Sequence, residues 1–175
     1  MIVAQSLIYT DNRDKFLNFN KEEHPLSIQF GGDNPEHLKE AAKMAQDWGY
    51  DEINFNVGCP SSRVCAGNFG ASLMNYPSKV ARCIEALKNS CNLPITIKHR
   101  IGVDNNDSFS NLNNFVRHIS QAGTERFTIH ARKAFLKGLN PKENRNIPPL
   151  RYDIVKRLKD ENPSLIIEIN GGFTN

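Results

Sequence analysis

The sequence has little of what marks a membrane, exported or zinc-binding protein. Its apolar runs all fall short of the roughly 18 residues that a membrane helix needs. Its start, residues 1–10, lacks both the basic region of a signal peptide and the Arg and Ser richness of a transit peptide. The four cysteines form no C-x-x-C pair and have no histidine at zinc-ligand spacing. We therefore expect a soluble, cytoplasmic protein with reduced thiols, no membrane partner and no metal site.

An excess of charge of one sign is also missing. The 22 Lys and Arg residues nearly balance 19 Asp and Glu residues, so the net charge is only +3. This balance is compatible with a polyanionic partner but does not require one. The nucleotide-binding motifs G-x-G-x-x-G and G-x-x-x-x-G-K-[ST] do not occur either. The 175 residues, 39% of them hydrophobic, suffice for the core of one domain.

A strand followed by a helix repeats along the whole chain, which is typical of a parallel α/β fold. The apolar segments predict strands over residues 2–9, 26–30, 52–57, 95–99, 126–130 and 165–169. Helices are predicted over about 35–48, 78–89, 110–122 and 150–160. The first of these is the best marked, because Asn34 suits its N-cap, Pro35 its first turn and Gly49 a left-handed C-cap.

Polar residues two positions apart recur where these strands end, so each pair projects from one face. The pairs are Ser27 and Gln29, Asn54 and Asn56, Lys98 and Arg100, His130 and Arg132, and Glu168 and Asn170. Five pairs at strand ends imply one shared mouth, as in a (β/α)8 TIM barrel, whereas an open sheet places polar ends mainly at its switch point. Because six strands are recognised and such a barrel has eight, we expect an incomplete barrel.

Cys59 is the first candidate for chemistry, since it lies in a turn directly after the strand that carries Asn54 and Asn56. A thiol there acts as a nucleophile when ionised and as a general acid when protonated, and a small packed cysteine is an equal alternative. Cys83 and Cys91 fall on or near a helix and are interpreted as structural. Cys65 lies in a loop and is left undecided.

The other candidates are cations and glycines. Lys98, Arg100, His130 and Arg132 suit a phosphate or a reduced, anionic cofactor. The Gly171–Gly172 turn offers unobstructed N–H groups, as in the phosphate sites late in such barrels. The basic segment 133–145, with Phe135 predicted to be exposed, suits a nucleic-acid backbone, although a solvated loop is the favoured explanation for the segment taken by itself.

Taken together, five motifs closely resemble those of tRNA-dihydrouridine synthases, and the A-type subfamily most. They are N-x-N-x-G-C-P-S at 54–61, K-H-R-I-G at 98–102, H-A-R-K-A-F-L-K-G-L at 130–139, P-K-E-N-R at 141–145 and E-I-N-G-G at 168–172. That family consists of FMN-dependent (β/α)8 barrels with a C-terminal helical domain. Its members reduce the C5=C6 bond of D-loop uridines in tRNA at the expense of NADPH, and the A-type subfamily acts at tRNA position 20 or 20a.

The resemblance also implies roles for individual residues. Reduced flavin would deliver hydride to C6, and Cys59, which matches the family's catalytic cysteine, would protonate C5. The matches to flavin-contacting positions are Gln29, Lys98 and His130, and those to one part of the phosphate site are Asn170, Gly171 and Gly172. The matches to positions that touch tRNA are Asn56, Lys142 and Arg145.

Compared with the family, residues 1–175 correspond to a single partial FMN-binding barrel domain. The first and last barrel strands and the helical domain are expected to lie outside this sequence, so the six strands would be the second to seventh. Two other hypotheses stay open. One is an inactive truncated chain with at most weak RNA binding, and the other is a flavin barrel that acts on a free pyrimidine, which the basic segment 133–145 disfavours.

Overall fold

The computed structural model describes residues 1–173, which form a six-stranded parallel sheet. The strands are β1 (Ile2–Val3), β2 (Ser27–Gly31), β3 (Glu52–Val57), β4 (Ile95–Arg100), β5 (Arg126–His130) and β6 (Ile166–Asn170). They pair in chain order from β1 to β6, so each strand lies beside its neighbour in sequence. This single direction of winding is that of a TIM barrel and not of a doubly wound sheet, which confirms the predicted incomplete barrel.

Helices connect the strands and cover one side of the sheet. In residues 1–173 they are α1 (Ala4–Ile8), α2 (Asp14–Leu17), α3 (Pro35–Asp47), α4 (Ser62–Ala66), α5 (Pro77–Lys88), α6 (Phe109–Gln121), α7 (Glu143–Asn146) and α8 (Tyr152–Glu161), with short 3₁₀ helices at Lys21–Glu23 and Gly70–Asn75. Of these helices, none is both long and apolar enough to cross a membrane. The predicted caps of α3 are confirmed: Asn34 accepts the Glu36 N–H at 2.9 Å, and Gly49 has φ +86°.

The two faces of the sheet differ in chemistry, because alternate residues of a strand point to opposite sides. Phe30, Phe55, Ile97 and Phe127 point outward and are fully buried under the helices. The helical stripes that cover them are buried as well: Leu38, Ala41, Ala42 and Ala45 of α3, Val80, Ile84 and Leu87 of α5, and Leu112, Phe115, Val116 and Ile119 of α6. Trp48, directly after α3, is half-buried. The inward face carries the polar residues.

The predicted first strand, residues 2–9, is wrong beyond Val3. The strand ends there and the chain continues as α1, whose buried residues are Ala4 and Leu7. Their spacing of three places both on one side of a helical turn, and Tyr9 N–H closes the helix onto Gln5 O at 3.2 Å. The apolar residues of this segment therefore follow a helical period, but the helix is too short for that period to be recognised in the sequence.

The placement of five polar pairs at strand ends is also corrected. Ser27 is the first residue of β2, so it lies at the opposite end of the sheet from the mouth. Asn54 and Glu168 point inward but lie one layer deeper than Asn56 and Asn170, because two residues of a strand span about 6.6 Å. Only the second member of each of these pairs reaches the carboxyl ends.

Candidate active site

A cavity of about 570 Å³ opens at the carboxyl ends of the strands. Nine of the predicted site residues line it: Gln29, Asn56, Cys59, Lys98, His130, Arg145, Asn170, Gly171 and Gly172. Lys142, the tenth, is exposed and lies outside this lining, directly before α7. The cavity is large enough for a cofactor-sized ligand and stands where barrel enzymes bind their substrates.

The turn after β3 holds Cys59 in the cavity wall. The side-chain oxygen of Asn56 accepts the backbone N–H groups of Gly58 at 3.1 Å and of Cys59 at 3.0 Å. The Cys59 carbonyl in turn accepts the Ala71 N–H at 2.9 Å. Gly70 permits this contact, because it has φ +68° and a Cβ there would lie 2.6 Å from the Cys59 oxygen. The backbone of Cys59, which carries the half-buried thiol, is thus held by hydrogen bonds at both its N–H and its carbonyl.

The other cysteines lie away from the cavity, and all four are free thiols. Burial raises the pKa of Cys83 to about 12, so this thiol in the core of α5 is unreactive at neutral pH. Burial also raises the pKa of Cys91 and of Cys65, and for Cys65 the nearby Cys59 adds to the effect. Cys65 belongs to α4, immediately after the Cys59 turn. By location, Cys59 is therefore the thiol that can meet a ligand.

Two cations from β4 reach the cavity, and the histidine between them does not. Lys98 donates from Nζ to Asn170 Oδ1 at 3.1 Å, and burial together with Arg100 lowers the Lys98 pKa. Arg100 donates only to backbone oxygens, those of Gly58 at 3.3 Å, Lys133 at 3.2 Å and Asn144 at 2.8 Å. Among the described residues, those that line the cavity include no Asp or Glu, so the cavity is positively charged.

Burial and neighbouring cations both lower the pKa values of Arg100 and His130. Burial lowers the Arg100 pKa to about 10, Arg145 and Arg132 act in the same direction, and Cys59 opposes them. Burial also lowers the His130 pKa to about 4, helped by Arg100, Lys98 and Arg132 and opposed by Asn170. His130 is therefore neutral at pH 7, and its Nε2 atom is buried without a hydrogen-bond partner.

In the turn after β6, the glycine backbone lies close to the His130 ring. Gly171 has φ +104°, and a Cβ at this position would lie 2.9 Å from His130 Nε2. Gly172 has φ +76°, and a Cβ there would lie 2.8 Å from the Tyr152 hydroxyl oxygen. Arg132 Nε nearby is also buried and unpartnered. Glycine backbone, an unpartnered imidazole nitrogen and an unpartnered guanidinium nitrogen thus lie together at this turn, an arrangement complementary to a polar, anionic group such as a phosphate.

Segment 133–146 beside the cavity is ordered by one buried amide. Asn144 is fully buried; its side-chain nitrogen donates to the carbonyls of Phe135 and Leu139, both at 3.1 Å, and its side-chain oxygen accepts the Phe135 N–H at 2.8 Å. Phe135, predicted to be exposed, is half-buried, with Lys133 Nζ 4.9 Å from its ring centroid. This wrapping brings Arg145 to the cavity.

Sequence reasoning placed Arg100 and Arg132 at the mouth by strand alternation but gave them no individual role. It missed Asn144, Pro60, Pro141 and Asn146. Asn144 stands among exposed charged residues, so neither periodicity nor hydropathy marks its burial. Among residues 1–173, no group of three or more His, Cys, Asp or Glu side chains is placed to hold a metal ion.

A barrel-type sheet with a thiol, cations and a glycine turn at its carboxyl ends has the arrangement of a barrel enzyme. The chain matches the family model described as Dihydrouridine synthase (Dus) over residues 1–175. It belongs to the dihydrouridine synthase family.

Three curated relatives carry the name tRNA-dihydrouridine(20/20a) synthase. The protein of Synechocystis sp. is 56% identical over 174 residues, which are 99% of this chain and 52% of that protein. The protein of Shewanella oneidensis is 49% identical, covering 100% of this chain and 55% of its own length, and that of Vibrio cholerae is 50% identical, covering 98% and 56%. The chain thus spans about half the length of these relatives.

Proposed function

We propose that this chain carries the flavin site and the proton donor of a tRNA-dihydrouridine synthase. The reaction would convert uridine to 5,6-dihydrouridine at tRNA position 20 or 20a, the positions named for its relatives, with FMN as cofactor and NADPH as electron donor. The observation that carries the proposal is that Cys59, Lys98, His130 and the Gly171–Gly172 turn line one cavity. Family membership over the whole chain supports it.

The cavity residues divide into two groups by the part of FMN that they would hold. Asn170, Gly171 and Gly172 would bind the phosphate, because their turn combines free backbone with positive charge nearby. The groups that would contact the ring are Gln29, Lys98 and His130. Reduced FMN, when bound, supplies the hydride that C6 of uracil accepts. The Lys98 ammonium, which lines the cavity, would stabilise negative charge on the ring system.

Cys59 would complete the reduction by giving its thiol proton to C5. Hydride at C6 and a proton at C5 together saturate the double bond, and the thiolate that remains needs stabilisation. Arg100 supplies it, since its guanidinium donates to the carbonyl of Gly58 beside Cys59 and has no carboxylate partner. Because the thiol itself carries the proton that it gives, this step requires no separate base.

The tRNA would bind across the cavity mouth. Arg145 at the cavity and the exposed Lys142 would contact phosphates, and Asn56 lies deeper, where an unstacked uridine would enter. A tRNA substrate would place the protein in the cytoplasm. The same surface argues against a free pyrimidine as substrate, because a small base needs no basic rim.

The test compares Cys59→Ala with the matched control Cys65→Ala. Both variants remove a half-buried free thiol, but only Cys59 lines the cavity. We expect both proteins to retain FMN after desalting, seen as the visible flavin band, and only Cys59→Ala to lose dihydrouridine formation on unmodified tRNA, by a factor of about 100 or more.

Three outcomes would contradict the proposal. Turnover by Cys59→Ala equal to that of the parent chain would remove Cys59 from the mechanism. A chain that stays colourless with added FMN would be an inactive member of the family. Reduction of free uracil without activity on tRNA would indicate another kind of flavin barrel.

A further inference from the structure

The barrel interior contains a continuous series of side-chain hydrogen bonds that begins at the Cys59 turn. At its upper end the Gly58 and Cys59 N–H groups donate to Asn56 Oδ1, at 3.1 and 3.0 Å. Asn56 Nδ2 donates to Gln29 Oε1 at 2.9 Å, and Gln29 Nε2 donates to Asn54 Oδ1 at 2.7 Å. Three amide side chains are thus joined head to tail.

The series continues to a carboxylate at the other end of the barrel. Asn54 Nδ2 donates to Thr96 Oγ1 at 2.9 Å, and the Thr96 hydroxyl donates to Glu52 Oε1 at 2.9 Å. Ser27 Oγ donates to the same carboxylate oxygen at 2.9 Å, and Arg126 Nη1 lies 3.4 Å from the other. The interior chain, as we name it, consists of Asn56, Gln29, Asn54, Thr96 and Glu52.

The chemistry of the two ends determines the direction of the interior chain. Backbone N–H groups can only donate, so Asn56 must turn its oxygen toward the Cys59 turn and its nitrogen toward Gln29. Each following amide must then present its oxygen to the donor before it. An ionised carboxylate can only accept, so Glu52 requires the same direction from below. Bonds aligned in this way polarise and strengthen one another.

The direction of the interior chain determines whether its side chains present hydrogen-bond donors or acceptors to a ligand in the cavity. Asn56 Oδ1 already accepts two hydrogen bonds, so its acceptor capacity is filled. Each amide nitrogen of Asn56 and Gln29 uses one hydrogen within the interior chain and retains a second. Together with Lys98 Nζ, these side chains present donors to the cavity that they line. Donor groups of this kind are complementary to the carbonyl oxygens of pyrimidine-type rings.

We propose that Glu52 and Thr96 are positioning residues for this site. Neither lines the cavity at the carboxyl ends; both act through the interior chain, which keeps Gln29 and Asn56 in their donor orientation and holds the Cys59 turn. The inference rests on the proposed function for its catalytic consequence, whereas the hydrogen-bond pattern itself belongs to the chain alone.

The test removes one hydroxyl in the middle of the interior chain. Thr96 is 3% exposed, and Thr96→Val keeps its shape while removing the acceptor of Asn54 and the donor to Glu52. Thr96→Ser restores the hydroxyl. Thr128→Val is the matched control, because Thr128 is an inward-facing threonine whose hydroxyl donates to Glu168 and not to the interior chain.

Hydrogen exchange measured by ¹⁵N NMR on the full chain gives the first readout. In Thr96→Val we expect exchange to be about tenfold faster for the side-chain amides of Asn54, Gln29 and Asn56 and for the Cys59 N–H, because a partly buried hydrogen bond that polarises its neighbours is lost. Thr96→Ser and Thr128→Val should match the parent at these groups. A change confined to Asn54 would overturn the proposal, because the coupling would then not reach the Cys59 turn.

Turnover on tRNA gives the second readout. We expect about tenfold lower kcat for Thr96→Val, an unchanged KM for tRNA, and recovery in Thr96→Ser. Equal losses in Thr96→Val and Thr128→Val would overturn the positioning role, since any inward-facing hydroxyl would then serve. If the parent chain itself has no turnover, the proposed function fails, and the exchange pattern alone decides whether the interior chain holds the Cys59 turn.

Discussion

His99 lies on the helix-facing side of β4, with its ring centroid 5.2 Å from that of Phe115 and 6.0 Å from that of Phe127. Its Nδ1 atom is 2.6 Å from the Arg100 carbonyl, so Nδ1 carries the hydrogen and Nε2 is left without a partner. Burial lowers the His99 pKa to about 4 from its ordinary 6.5, and Lys98 adds to this effect. A neutral imidazole is thus part of the core.

The His99 pKa predicts how stability depends on pH. As the pH falls from 6.5 toward 4, an unfolded His99 takes up a proton and the folded one does not, so the free energy of unfolding decreases over this window and is largest above it. The contribution is on the order of 3 kcal/mol. Thermal melts of the parent between pH 7.5 and about 4.5 should show the decrease.

The control for that prediction is His99→Gln, which keeps a donor for the Arg100 carbonyl but does not titrate. Its melting temperature should be lower than that of the parent at pH 7 and should vary less with pH. An identical pH slope in both proteins would assign the effect to other groups, and His130, with its pKa also near 4, would be examined next.

Strand alternation predicted the inward direction of Lys98 and Arg100 from the sequence, and it equally turns His99 outward. Alternation predicts which face of the sheet a side chain points to, but not how far along the barrel axis it lies. For this reason Ser27 was assigned to the wrong end of the barrel. Its position depends on where β2 begins, and strand boundaries are set by pairing with β3. The partners of Thr96 and Glu52 depend on that register as well.

At the scale of elements, segment 133–146 is a preorganised part of the site. Its backbone is held by the side chain of Asn144 and, at Lys133 and Asn144, by the guanidinium of Arg100. The basic side chains of Lys142 and Arg145 therefore project from a fixed frame and lose little backbone entropy when they bind.

The double variant Lys142→Ala/Arg145→Ala tests this segment. We expect weaker tRNA binding and a shallower dependence of log Kd on log salt, by roughly one unit of slope for each cation removed, because each phosphate contact releases counterions. FMN retention should be unchanged. The measurement is a tRNA titration at several salt concentrations.

Its control is Lys39→Ala/Lys43→Ala, which removes two exposed cations from α3. This variant has the same net charge as the first but keeps every cation of the cavity and of segment 133–146. An equal loss of tRNA affinity in both would mean that binding follows net charge and not the basic segment.

The sequence predicted that this segment is basic, but the buried Asn144 and half-buried Phe135 were not predictable, because loop side chains follow no period. The long helices α3, α5, α6 and α8 were predicted to within two residues, since each has a clear apolar stripe. The short helices α1, α2, α4 and α7, each of four or five residues, provide too few turns for such a stripe.

At the scale of the molecule, the sheet of residues 1–173 is open on both sides. The first strand has two residues, and β6 pairs only with β5 in the described part of the chain. Large apolar side chains are exposed beside β6: Ile166 is 48% exposed, Ile169 38% and Phe173 65%. In a polypeptide of residues 1–175 alone, such an edge can pair with a strand of another molecule, which favours self-association.

Ile169→Lys should reduce that association. A lysine on an edge strand opposes strand-to-strand contact between molecules, and Ile169 is already partly exposed. Sedimentation velocity or light scattering over a range of concentrations should show less of the associated species than in the parent chain.

The comparison is Ile147→Lys, which adds the same charge at an exposed isoleucine just after α7, away from the sheet edge. An equal decrease in association with both substitutions would attribute the effect to net charge. No decrease with Ile169→Lys would show that β6 is not the edge through which the molecules associate.

The order of the strands has a consequence for biosynthesis. Each strand pairs with the one translated just before it, so every new strand leaving the ribosome finds its partner already present. The cavity at the carboxyl ends, however, takes residues from β2 and from the Asn170–Gly172 turn, which are separated by nearly the whole chain. We expect the nascent chain to bury its helices early and to become competent for ligand only when the last of these residues is released.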